Sequence, residues 1–196
     1  MQIPLDRVCV KSGILCDKCK AKVDSGLYKQ WEVDVMRALL ELEPSYKELR
    51  AASYVKSVII DNVLYVMLDK VTYVSRGLAK ALEDKLKNLN IKGVRVISYG
   101  GDPRQLLSNL LSSANVMSVG TYYAPDGSAY YVVKVPASER GRVSEVEQAA
   151  KAIFKSLTSY DLFIEYDKTA VSERTQSVVS RLDKDKLSEA LKRIGA

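Results

Sequence analysis

Three cysteines stand within the first nineteen residues, and the rest of the chain has none. Cys16 and Cys19 form a C-x2-C pair, a spacing whose tight turn aims two thiolates at one point, as tetrahedral zinc requires. Asp6 precedes Cys9 by the same interval, so Asp6-Arg-Val-Cys9 repeats the spacing with a carboxylate in the first slot. Two such half-sites, joined through a Lys-Ser-Gly turn, predict a Cys3Asp site for one zinc ion, held by Asp6, Cys9, Cys16 and Cys19. Aspartate is a legitimate zinc ligand, but the least usual one in a structural site. Other chemistries use the same residues: a disulfide with a spare thiol, a redox pair, an emptied metal site, or three unrelated thiols. The odd count, the absence of histidine and an N-terminus that does not read as a signal peptide argue against a secreted disulfide framework. A redox C-x2-C usually sits between a strand and a helix of a thioredoxin-like unit, and no such pattern surrounds this one. Arg7, Lys11, Lys18, Lys20 and Lys22 favour thiolates in every case.

The elements that must position these residues emerge from periodicity. After the cysteine module (1–28), Trp31, Val35, Leu39 and Leu42 recur at helical spacing over about Lys29 to Glu43, and Pro44 follows the stop. Ser53 to Ile60 and Val63 to Asp69 read as strands around an Asp61-Asn62 turn. A second amphipathic helix, about Gly77 to Leu89, precedes a strand from Val94 to Tyr99, and Gly100-Gly101-Asp102-Pro103 breaks the chain. The same order then repeats. A helix (Arg104 to Ser112) leads to strands Val116 to Tyr123 and Ala129 to Val135 around Pro125-Asp126-Gly127, then a helix (Ser144 to Leu157) and a strand (Leu162 to Tyr166). The expected fold class is therefore α/β (α+β). It comprises a zinc-knuckle module (1–28), α-β-β-α-β units at 29–101 and 102–167, and a polar linker with a C-terminal helix at 168–196.

Composition narrows the function. The 196-residue chain carries 30 Lys and Arg against 24 Asp and Glu, a balance compatible with an anionic partner. Abundant Lys, Glu, Tyr and Val lean towards a thermophile. No run is long and apolar enough to cross a bilayer, so a cytoplasmic location is expected, without membrane association. With no histidine, P-loop, nucleophile triad or paired carboxylates, enzymatic chemistry has no residues to stand on, and no small-molecule substrate is expected. Tyr122, Tyr123, Tyr130 and Tyr131 alternate across a turn, where they would stack on bases or on one another across strands.

Three stretches carry a resemblance. They are Ile3-Pro4 through Cys9 and Lys11-Ser-Gly-Ile-Leu-Cys16-x2-Cys19, the block from Trp31 to Tyr99, and Ala114-Asn-Val116 through Ala124-Pro-Asp-Gly127 to Tyr160-Asp161. Together they resemble the archaeal NusA-like tandem KH-domain proteins with an N-terminal cysteine (zinc) module. That family's cysteine segment typically has four cysteines, and Asp6 stands where the first would be. The resemblance implies a non-catalytic RNA-binding factor in transcription elongation or termination, with single-stranded RNA as partner and RNA polymerase or the ribosome as possible protein partners. The family's RNA contact is a G-x-x-G loop whose glycines let two backbones approach closely. Here the corresponding stretches, Thr72 to Gly77 and Ser138 to Val143, have one glycine each, flanked by arginine. The RNA-binding residues implied are Arg76, Gly77 and Lys80 in the first unit and Arg140, Gly141 and Arg142 in the second. The alternative is a degenerate KH scaffold that binds a protein and no RNA.

Overall fold

The computed structural model describes residues 1–71, 73–111, 114–125 and 127–167. The expected linker and C-terminal helix at 168–196 lie outside the described residues.

The cysteine segment folds as two short helices, α1 (Arg7–Ser12) and α2 (Asp17–Asp24). Backbone and side chain tie it to the first α-β-β-α-β unit. Gln2 N–H donates to the Ala52 carbonyl at 2.8 Å and the Tyr54 N–H donates to the Gln2 carbonyl at 2.9 Å. Arg37 Nε donates to the Val10 carbonyl at 2.9 Å, and Val10 itself is wholly buried.

Two α-β-β-α-β units make up the rest of the described residues, as the periodicity predicts. The first has α3 (Gln30–Leu42), a one-turn helix α4 (Glu48–Ala51), β1 (Ser53–Ile60), β2 (Val63–Asp69), α5 (Arg76–Lys85) and β3 (Gly93–Ser98). The second has α6 (Pro103–Leu110), β4 (Ser118–Tyr123), β5 (Ala129–Pro136), α7 (Arg140–Thr158) and β6 (Asp161–Asp167). In each, an antiparallel hairpin accepts a third strand parallel to its second, giving sheet orders β1-β2-β3 and β4-β5-β6. The first hairpin closes on Asp61 and Asn62, whose φ values of 51° and 63° are those of a two-residue turn matching strand twist. The parallel third strand demands a crossover, and α5 and α7 supply it.

The units share their packing. Leu64, Val66 and Leu68 of β2 join one apolar core with α3 and α5. Tyr65 and Met67, on the opposite face of the same strand, join a second core with Ile97, Leu106 and Leu107 of α6 and Ile153 and Phe154 of α7. The first sheet is thus covered on both sides, which explains why β2 is buried continuously from Leu64 to Leu68. The second sheet is covered on one side only. Its inward residues, among them Tyr131, Val133 and Leu162, meet α7, and its other face meets solvent.

Within the first core, Glu32 is a buried carboxylate, 1% exposed. One oxygen accepts from the Tyr54 hydroxyl at 2.8 Å and the Ser57 N–H at 2.9 Å, and the other from the Lys29 N–H at 2.7 Å. Tyr54 Oη also meets Ser57 Oγ at 2.8 Å, and burial together with the Glu32 charge holds the Tyr54 phenol well above its usual range.

Candidate metal centre and nucleic-acid interface

The two cysteine half-sites are built alike. Asp6 is the N-cap of α1 and Cys16 the N-cap of α2, both extended at ψ 134° and 166°, so each helix opens one residue after the first member of its x2 pair. Cys9 and Cys19 then fall in the first turn of their helices, both buried. The halves bond reciprocally: the Asp6 N–H donates to Cys19 Sγ at 3.3 Å and the Cys16 N–H to Cys9 Sγ at 3.4 Å. Such N–H···S contacts favour thiolate over thiol. The three sulfurs lie within 4.8 Å of one another. Thiolates at about 2.3 Å from a tetrahedral zinc stand about 3.8 Å apart, so a small inward closure would complete the geometry.

Two of the thiols are shifted in opposite directions. Cys16 is held below the usual thiol range, first by the Cys19 backbone N–H and then by the neighbouring thiols. For Cys9 the Cys16 N–H also lowers, but burial and the adjacent thiols outweigh it and leave the group raised. Cys16 is the exposed member of the three. Asp6 is engaged by its own helix. Its carboxylate Oδ1 accepts from the Val8 N–H at 2.8 Å and the Cys9 N–H at 3.3 Å, capping α1. Among the described residues, the close-set group of ligand atoms holds three sulfurs and no carboxylate.

The expected RNA-contact residues fall at two equivalent places, where the second strand of each unit leads into its crossover helix. Arg76 and Gly77 open α5, with Lys80 one turn on, and all three are exposed. Ser75 caps that helix through the Leu78 N–H and donates its hydroxyl to Glu48 Oε1 at 2.7 Å. In the second unit a 3-10 turn (Ala137–Glu139) runs directly into α7, which begins four residues earlier than the pattern predicts. Gly141 and Arg142 are therefore helical and not in a loop. A methyl group at Gly141 would meet nothing within 4 Å, so no close approach within the chain requires glycine there. Arg142 pairs with Glu139 at 2.9 Å, and the Arg140 guanidinium lies 5.4 Å from the Tyr166 ring centroid.

The sequence reading missed what lies between the units. A cleft of about 420 Å³ is walled by Tyr73, Arg76 and Arg95 of the first unit and by Asn109, Val146 and Ala150 of the second. Tyr73 is 71% exposed, and Arg95 breaks the run of aliphatic residues along β3 as its exposed member. That interruption is the one signal of the cleft that the sequence carries.

On the open face of the second sheet Tyr122 faces Tyr130 in register, with centroids 5.8 Å apart and planes at 17°. Phe163 stands edge-on to Tyr130 at 5.4 Å. Tyr131 turns inward against Phe154, so the four tyrosines do not form one surface.

No family model matches the chain, and no curated protein matches it. Among solved structures, the one described as "Crystal structure of APE1850" is similar, with a TM-score of 0.52 and 17% identity over 66% of this chain and 96% of that one. At that identity the likeness concerns the fold.

Proposed function

We propose that this protein is a non-catalytic RNA-binding factor of the NusA-like kind, acting in transcription elongation or termination, with a metal-stabilised cysteine module at its N-terminus. The observation that carries the reading is the inter-unit cleft, where an exposed tyrosine and two arginines of the first unit stand opposite Asn109 and the apolar Val146 and Ala150 of the second. A ring that stacks on a base and guanidiniums that bind phosphate bidentately are what a single strand needs. Arg76 lines the cleft and, with Gly77, opens α5, and Arg140, Gly141 and Arg142 occupy the equivalent start in the second unit. Recognition runs mainly through phosphate and shape, with little base readout. The cysteines supply the metal module. Cys9, Cys16 and Cys19 hold one zinc ion that contributes to folding and takes no part in chemistry.

Titration of single-stranded RNA at two salt concentrations tests this. Arg76→Ala with Arg95→Ala weakens binding to all sequences about equally and flattens the salt slope by roughly 1.4, two single-strand phosphate contacts at about 0.7 each. A double variant with the parent's affinity and slope removes the cleft from the interface. If the parent binds no single strand even at low salt, the scaffold reading takes over. The observation favouring that reading is the aromatic face of the second sheet, where Tyr122 and Phe163 are 44% and 52% exposed.

A further inference from the structure

Resting on the reading that the cysteine cluster binds a metal, we infer that the centre is a three-thiolate site whose fourth coordination position is open to a soft ligand from solution, a small thiolate. Three observations support it. The half-sites are equivalent in backbone, so the position opposite Cys16 is filled by Asp6. Asp6 is nonetheless committed elsewhere: its carboxylate caps α1 through two N–H groups, and the clustered ligand atoms include none of its oxygens. Both capping bonds run to Oδ1, so swinging that oxygen onto a metal would cost α1, a helix of only six residues, its N-cap. Cys16, the third sulfur, is exposed, while Cys9 and Cys19 are 8% and 4% exposed, so one edge of the cluster is open to water.

Donor softness selects the class of ligand: a fourth thiolate matches the three sulfurs already there. Lys11, Lys18 and Lys20, all exposed, flank the cysteines in sequence. Zinc requires four donors and takes the missing one from solvent, as open zinc sites do. With a metal held by Cys9, Cys16 and Cys19, binding would be simple ligand exchange: a water would leave, the incoming thiol would lose its proton to solvent, and its sulfur would take the vacated position with no change in oxidation state.

Cobalt(II) replaces the silent zinc as a spectroscopic probe in the full-length protein. The parent shows sulfur-to-cobalt charge transfer, and 2-mercaptoethanol raises it saturably by about one third as three sulfurs become four. Asp6→Asn keeps the cap, since asparagine caps as well as aspartate, and keeps both the metal affinity and the thiol response. Asp6→Cys closes the site: its spectrum matches the thiol-saturated parent, and added thiol changes nothing. A parent spectrum indifferent to thiol, together with metal affinity lost in Asp6→Asn, makes Asp6 the fourth ligand and overturns the inference while leaving the metal reading intact. A chain with no charge-transfer band at all overturns both.

Discussion

Single side chains here carry duties that their neighbours cannot take over. Cys19 is buried, accepts a hydrogen bond from the Asp6 N–H and stands in the sulfur cluster, so Cys19→Ser should cut bound zinc from about one equivalent to nearly none. The same variant should melt earlier, because metal binding is folding free energy, and chelation of the parent should reproduce the shift. Elemental analysis beside thermal melts reads both effects; an unchanged metal content would dismiss the site. Glu32 is the other such residue. It satisfies three donors from within the core, and Glu32→Ala leaves the Ser57 and Lys29 amides without their acceptor. Hydrogen bonds to a charged group are worth about 1.5–3 kcal/mol, so the variant should lose about 2–4 kcal/mol in denaturant unfolding. A loss under about 1 kcal/mol would mean that water replaces the carboxylate.

At the scale of elements, α7 makes the clearest case. Gly141 lies in its first turn with a negative φ and open space where a Cβ would go. Gly141→Ala should therefore stabilise the fold by about 0.5–1 kcal/mol, the helix cost of glycine relative to alanine. A drop in melting temperature would show that glycine is needed there after all. Further along, the Lys151 ammonium, Tyr166 hydroxyl and Arg140 charge hold the Glu147 carboxyl below its ordinary range, in that order and against the opposing pull of burial. A carboxylate with a depressed folded-state pKa stabilises above its unfolded value, and that stability disappears as pH falls through the folded value. Stability should accordingly fall less steeply between about pH 6 and pH 3 in Glu147→Gln than in the parent. Urea midpoints across that range are the measurement, and parallel curves would remove Glu147 from the acid response.

At the scale of the whole molecule, the shared packing of the two units should make the described residues unfold as one cooperative body. β2 contributes Tyr65 and Met67 to the core that α6, α7 and the second sheet share with one face of the first sheet, while its alternate residues hold α3 and α5. Met67→Ala leaves a cavity at that junction and should cost about 2–5 kcal/mol. Amide exchange should accelerate in β2 and in β5 together. Protection lost in the second unit alone would mean that the units open separately. The cleft is a product of the same arrangement. It exists only because α6 and α7 lie across the face of the first sheet and bring Asn109 and Val146 opposite Arg76 and Arg95.

Local physics accounts for what the sequence alone determined. Both α-β-β-α-β units were legible because 3.6- and 2-residue periodicities and turn residues such as Asp61-Asn62 act within a few residues of chain. The sulfur cluster was legible for the same reason, its three members spanning only Cys9 to Cys19. The start of α7 was misplaced, since Arg140, Gly141 and Arg142 are a weak helix opening that buried Val143 and Val146 overrule. Asp6 reads as a ligand by spacing, which does not say whether a carboxylate turns to a metal or to the amides of its own helix. The cleft and the doubly covered sheet were decided by tertiary structure alone, because packing between units brings Arg95 and Val146 to one cleft, and no short-range pattern encodes a juxtaposition across about fifty residues of chain.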